Sequence, residues 1–155
     1  MATPSAHVRI ICIGNRMLPS DALGPLVHDL LARSTLPDDT AVIDGGLQGL
    51  NLLGAVEGAR RVVFVDALTG VRERKAMRVP RQRALDNAGA RFDHGAGLGY
   101  LLRAMAVGCD APPRAWSVVG AAGPADAAVI EAVAALAVAE ARRPVRNRAV
   151  VNAKG

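Results

Sequence analysis

One short segment, residues 61–65, restricts the fold of this chain more than any other. Its sequence, RVVFV, is apolar after the first residue and rich in β-branched side chains. Such a segment is typical of a parallel strand that helices cover on both faces. Four other short segments are predicted to be strands, and these are residues 7–13, 40–43, 75–79 and 115–119.

The segments between these strands carry apolar residues at helical spacing. Helices are predicted over residues 23–32, 50–56, 98–107 and 125–142, whereas the polar segment 81–92 is predicted to be an exposed loop. Strands that alternate with helices predict an α/β fold, in this case a three-layer α/β/α sandwich with a mostly parallel five-stranded sheet. We expect one domain at residues 1–143 and a basic tail at 144–155 that lacks periodicity.

The composition argues against several classes of protein. The formal net charge is +5, but only 3% of the residues are aromatic, so the basic clusters lack the stacking platform of RNA-binding proteins. We expect no nucleic-acid partner, and a basic patch for an acidic protein partner stays open. The sequence has no run of roughly 18 apolar residues and no signal-peptide pattern. We therefore expect a cytoplasmic protein without membrane contact, and a monomer is the default expectation. Cys12 lies inside the first predicted strand and is expected to be a core residue.

Three aspartates and one histidine lie where predicted strands end or helices begin. Asp44 and Asp66 follow predicted strands, Asp21 lies in the loop after the first strand, and His94 precedes a helix. The carboxyl ends of parallel strands meet at one edge of a sheet, where ligands bind. Two carboxylates and one imidazole can serve as ligands for nickel or zinc if the fold brings Asp21, Asp66 and His94 together.

Each of these residues also has an ordinary structural explanation. Asp21 could cap the helix at 23–32, Asp44 could form an Asp-Gly turn, and Asp66 could be a turn residue at the end of its strand. His94 could be an exposed loop histidine, because the glycines after it lack the context of a dinucleotide-binding loop. An anion-binding loop at His94, in a small-molecule or phosphate-binding enzyme, stays open as a third interpretation.

Four segments in a fixed order, rather than any single motif, carry a family resemblance. They are GNRMLPSDALG at 14–24, DGGLQG at 44–49, VDA at 65–67, and His94 four residues before Leu98, and the apolar strand SVVG follows at 117–120. In this order and spacing the chain resembles the NiFe-hydrogenase maturation endopeptidases. The resemblance extends from the first strand to about residue 123.

The resemblance implies a phosphorylase/hydrolase-like α/β fold and a specific activity. Such enzymes remove the C-terminal extension of a NiFe-hydrogenase large-subunit precursor after nickel insertion. Carried over to this chain, the family's metal-binding residues are Asp21, Asp66 and His94, and these three with Asp44 are the implied catalytic residues. The implied metal is nickel, which the precursor supplies, and the implied partner is that precursor.

Three positions differ from the family's pattern. Ser20 replaces an acid, Ala22 replaces a glycine, and Leu47 replaces a threonine. These differences indicate a divergent member of the family. They also favour a second hypothesis, in which the chain is a catalytically degenerate docking protein of the same fold that binds a hydrogenase subunit.

Overall fold

A computed structural model describes residues 5–47, 52–69, 74–87, 98–122 and 124–146 of the chain. The strands within these ranges are β1 (Val8–Ile13), β2 (Thr40–Gly46), β3 (Arg61–Leu68), β4 (Met77–Val79) and β5 (Ala115–Ala122). The α-helices are α1 (Leu23–Ala32), α2 (Leu53–Val56), α3 (Arg81–Asn87), α4 (Leu98–Gly108) and α5 (Ala127–Ala141), and a short 3-10 helix, Pro19–Asp21, precedes α1.

The five strands form one sheet in the order β2-β1-β3-β5-β4. The pairs β1–β2, β1–β3 and β3–β5 are parallel, whereas the short edge strand β4 is antiparallel to β5. The prediction of a mostly parallel, five-stranded sheet is therefore confirmed.

The residues of β3 alternate between two apolar cores, one on each face of the sheet. Val62 and Phe64 pack against residues of α2, α3 and α4, while Val63 and Val65 pack against α1 and α5. Both faces of the strand need apolar side chains because helices cover both. This arrangement confirms the predicted α/β/α layers.

After the adjacent parallel strands β1 and β3, the chain moves toward opposite edges of the sheet. The chain leaves β1 through α1 and returns as β2 on one side, whereas it leaves β3 for β4 and β5 on the other side. In open α/β sheets such a switch point leaves a crevice outside the carboxyl ends of the two strands, where ligands bind. The topology therefore directs attention to the carboxyl ends of β1 and β3.

A glycine brings α1 against the end of β1. A Cβ atom on Gly24 would lie 2.1 Å from the carbonyl oxygen of Ile13 and 2.8 Å from its nitrogen. A contact this short with backbone atoms can be relieved only by moving the backbone, whereas the end of a flexible side chain could rotate away. Gly24 thus fixes how closely the helix approaches the strand, and with it the position of the loop between them.

Several predicted element boundaries are wrong. The predicted loop at 81–92 begins as a helix, because α3 covers Arg81–Asn87. Ala84 of this helix is buried in the core, and the Arg81 guanidinium stacks 4.6 Å from the ring centroid of Trp116. Within the described part of the predicted helix at 50–56, α2 covers Leu53–Val56. Residues 50–51 and 88–92 lie outside the described part of the chain, as do residues 147–155 of the predicted tail.

The last helix begins two residues later than predicted. Asp126 is its N-cap residue, and the Asp126 side chain accepts a hydrogen bond of 2.8 Å from the backbone N–H of Val129. An aspartate in this position satisfies a backbone donor that the first helical turn leaves unpaired. Among the described residues, no helix combines the length and the hydropathy of a membrane span.

Candidate active site

Asp66 lies inside β3 and does not end it. The strand continues to Leu68, and Asp66 pairs in register with Gly120 of β5. A Cβ atom on Gly120 would lie 2.0 Å from the backbone oxygen of Asp66, so only glycine allows the two strands to approach this closely. The prediction that Asp66 marks the end of its strand is wrong, because β3 and β5 support each other for two further residue pairs.

The carboxyl group of Asp66 is strongly perturbed. The side chain is half-buried, and loss of hydration raises its pKa to about 8, with the negative charge of Asp21 as the second cause. A hydrogen bond with the backbone of Ala67 acts in the opposite direction. Asp21 and Asp66 are thus close enough to interact, although 45 residues separate them in sequence. Asp66 holds a proton at neutral pH unless a cation takes the proton's place.

Asp21 ends the 3-10 helix that precedes α1. Its Oδ2 atom accepts a hydrogen bond of 3.0 Å from the backbone N–H of Asn15. The N-cap residue of α1 is Ala22, and no side chain caps this helix. The capping alternative for Asp21 is therefore wrong. The half-buried carboxylate instead closes the loop after β1 and reaches the crevice at Asp66.

Asp44 lies inside β2, because the strand runs three residues beyond its predicted end. Its Oδ1 atom accepts a hydrogen bond of 3.1 Å from Gly46, and its Oδ2 atom lies 3.5 Å from the guanidinium of Arg16. Arg16 also binds Asp29 of α1 through two hydrogen bonds of 2.5 and 3.1 Å. Asp44 is thus at the same edge of the sheet as Asp21, but its carboxylate is engaged by Arg16.

Asn15 and Arg16 also belong to this edge of the sheet, and neither was predicted to be a site residue. The Asn15 backbone binds Asp21, and the Asn15 side chain accepts a hydrogen bond of 2.9 Å from the backbone N–H of Met17. The turn-forming pair Gly14-Asn15 was the only sequence signal for such a role. Nothing in the sequence around Arg16 indicated an ion pair with Asp29, which is 13 residues away.

The predicted histidine ligand, His94, lies outside the described residues. Within the part of the chain that the structure describes, no group of three or more His, Cys, Asp or Glu side chains could hold a metal ion. Asp21 and Asp66 fit such a site as two of its donors. Two carboxylates that repel each other in a poorly hydrated crevice favour a proton or a cation between them, and their oxygens suit a borderline divalent metal once a nitrogen donor joins them.

A recess opens beside Asp66. Its volume is about 150 Å³, which is enough for one apolar side chain of moderate size. The lining residues other than Asp66 are mostly apolar, and they are Ala67, Leu68, Thr69, Val79, Ala84, Leu98, Gly99, Leu102 and Val118. The recess can therefore hold an apolar group of a molecule that contacts Asp66.

Among the described residues, Cys12, His7 and His28 lie outside the crevice or are buried. Cys12 is fully buried, as predicted, and burial raises the pKa of its thiol, so that it stays protonated. His7 contacts Asp39 at 3.0 Å, at the opposite end of β1, and His28 contacts Asp29 at 3.1 Å. The ionisable groups that the structure describes in the crevice are thus the carboxyl groups of Asp21 and Asp66.

The sequence is similar to proteins of one family. A family model described as hydrogenase maturation protease (HycI) matches residues 25–139. The chain is 32% identical over 63 residues to the hydrogenase 2 maturation protease of Escherichia coli K12, a match that covers 40% of this chain and 38% of the relative. It is 35% identical over 71 residues to the hydrogenase expression/formation protein HupD of Bradyrhizobium diazoefficiens, covering 44% of this chain and 37% of that protein.

The fold also matches that of solved structures named as hydrogenase maturation proteases. The hydrogenase maturating endopeptidase HybD from E. coli superposes with a TM-score of 0.62 at 22% identity, and the match covers 86% of this chain and 88% of that one. By sequence, the matched region spans less than two fifths of the length of the curated relatives. The family model, in contrast, covers well over half of this chain and includes Asp44, Asp66 and the position of His94. The chain belongs to the hydrogenase maturation protease family.

Proposed function

We propose that this protein is an endopeptidase that removes the C-terminal extension of a NiFe-hydrogenase large-subunit precursor once nickel has been inserted. The observation that carries the proposal is the pair of interacting carboxylates, Asp21 and Asp66, at the switch point of a sheet of this family. The matched regions of the curated relatives are partial, and the activity of this chain therefore has to be tested directly.

The proposed metal belongs to the substrate. The oxygens of Asp21 and Asp66, with the imidazole of His94 as the nitrogen donor, would bind nickel that arrives with the precursor. Three protein ligands leave coordination positions for groups of the precursor or for water, which is the arrangement of a reactive metal site. Bound metal can polarise the scissile carbonyl or supply hydroxide. Asp44, the fourth predicted catalytic residue, would act through Arg16, which it contacts at 3.5 Å.

The proposal is tested by cleavage of the nickel-loaded precursor with wild type and two variants, Asp66→Asn and His94→Ala. We expect both substitutions to abolish cleavage, since each removes a proposed ligand and leaves the size of the side chain similar or smaller. Asp38→Asn and His7→Ala are matched controls, because both residues lie at the opposite end of the sheet. Full processing by both test variants would refute the proposal.

The same assay separates this enzyme from the alternative of a degenerate docking protein. Ser20, Ala22 and Leu47, which depart from the family's pattern, favour that alternative. A docking protein would bind the nickel-loaded precursor and leave it intact. A cytoplasmic, monomeric enzyme stays our prediction for the compartment and the assembly state.

A further inference from the structure

Large apolar side chains are exposed on the loop that carries Asp21. Among the described residues, five large apolar residues are exposed, and they are Met17 (83%), Leu18 (52%), Leu26 (36%), Leu47 (51%) and Val107 (88%). Met17 and Leu18 lie in the β1–α1 loop, and Leu26 lies in the first half of α1. Leu47 directly follows β2, whereas Val107 lies in α4. We call Met17, Leu18 and Leu47 the loop patch.

The backbone of this loop is held by hydrogen bonds. The N–H of Met17 donates to the side chain of Asn15, and the N–H of Leu18 donates 3.1 Å to the Asn15 carbonyl. The N–H of Asp21 donates 2.9 Å to the carbonyl of Leu18. The apolar side chains are thus exposed on an ordered backbone, so that binding a partner there costs little additional ordering.

Arg16 ties the loop to both neighbouring elements. Its guanidinium binds the carboxylate of Asp29 in α1 through two hydrogen bonds and lies 3.5 Å from Asp44 in β2. The two carboxylates and Arg16 are all substantially exposed, at 42%, 42% and 48%, and exposed ion pairs add little to stability. The bidentate geometry fixes orientation. The loop is also joined to the end of β2 by a hydrogen bond of 3.1 Å from Gly14 to Gly46.

We propose that the loop patch is the contact surface for an apolar strip of the protein substrate beside its scissile bond, and that Arg16 is a positioning residue for this surface. The inference rests on the proposed function. A protein substrate that presents a peptide bond to Asp21 must cover the neighbouring residues of the same loop, and Leu18 is only three positions away. The buried core of an interface is more apolar than its rim and is enriched in Met, and a few residues near the centre supply most of the binding energy.

The test compares affinity with turnover, using the full chain and the nickel-loaded large-subunit precursor. Dissociation constants come from titration of labelled precursor, and kcat and KM come from cleavage. The test variant is Met17→Ser combined with Leu18→Ser, and the matched control is Val107→Ser, because Val107 is as exposed as Met17 but lies in α4. We expect the double variant to raise Kd and KM by on the order of tenfold and to change kcat by less than about twofold. The control should leave Kd, KM and kcat unchanged.

Arg16→Gln tests the positioning role. We expect a smaller rise in Kd than in the double variant, and partial rescue by Arg16→Lys, which keeps the charge and loses the fork geometry. An unchanged Kd in the double variant, or an equal rise in the Val107→Ser control, would overturn the docking inference while leaving the peptidase intact. Wild-type binding without cleavage would instead overturn the proposed function, and the Kd comparison would still decide the docking surface.

Discussion

Asp66 is the residue whose position most clearly works against the stability of the fold. A carboxyl group inside a strand, with a second carboxylate nearby, lowers the stability of the folded state at neutral pH. Residues that carry such a cost are frequent at functional sites. The sequence indicated Asp66 as a candidate, but it could not show that Asp21 is its neighbour, because the capping and turn alternatives depend on side-chain direction.

The raised pKa of Asp66 predicts a pH-dependent effect of Asp66→Asn. The folded-state pKa is about 8, against an ordinary value of 3.8. Between these values the folded protein retains a proton that the unfolded chain has released, so wild-type stability falls as the pH rises from about 4 to about 8. An asparagine does not titrate. We therefore expect the free energy of unfolding of Asp66→Asn, taken relative to wild type, to be greater at pH 8 than at pH 5 by on the order of 2 kcal/mol.

Urea unfolding of both proteins at the two pH values measures this difference directly. Asp38→Asn is the control, because Asp38 lies in the turn before β2, away from the crevice. A stability difference for Asp66→Asn that is the same at both pH values would show that Asp66 has an ordinary pKa in the folded protein.

At the scale of elements, two glycines set how strands and helices meet around the site. Gly120 allows β5 to pair with β3 at Asp66, and Gly24 allows α1 to pack against the end of β1. The sequence predicted β5 to stop at 119, just before Gly120, whereas Gly24 falls inside the predicted helix 23–32. The strand continues because Gly120 has no side chain to meet the backbone of Asp66.

Gly24→Ala is expected to destabilise the protein by at least about 2 kcal/mol. Its Cβ atom would lie 2.1 Å from the backbone oxygen of Ile13, and relief requires movement of α1 or β1. Gly108→Ala in α4 is the matched control, since its Cβ atom would lie 3.1 Å from the end of the Leu53 side chain, which can shift. Thermal or chemical unfolding of both variants gives the comparison. Equal stability of the two variants would show that α1 can withdraw without cost.

At the scale of the whole molecule, the site depends on the order of the strands. The loop after β1 and the end of β3 meet because β2 and β5 lie on opposite sides of the β1–β3 pair. Two cores hold this arrangement, one on each face of the sheet. We therefore expect the proposed ligands Asp21, Asp66 and His94 to bind one metal ion together.

Nickel binding by calorimetry tests this convergence with Asp21→Ala, Asp66→Ala and His94→Ala, each checked for folding. We expect each substitution to reduce nickel affinity by more than about tenfold, measured with the precursor present, because each removes one of the three proposed ligands. His7→Ala serves as the control, as His7 contacts Asp39 at the other end of β1. Wild-type affinity in any one of the three variants would exclude that residue from the site.

The amino-acid sequence by itself determined the alternation of strands and helices, the burial of β3 on both faces, and the positions of Asp21, Asp44 and Asp66 near strand ends. These features are local, because they follow from hydropathy periodicity and turn residues. The sequence did not determine α3, since the burial of Ala84 depends on distant residues such as Trp116. Nor did it determine which carboxylates are paired. Only the tertiary structure brought Asp21 to Asp66 and Arg16 to Asp44, because these distances depend on strand order and on the close approach that Gly24 and Gly120 permit.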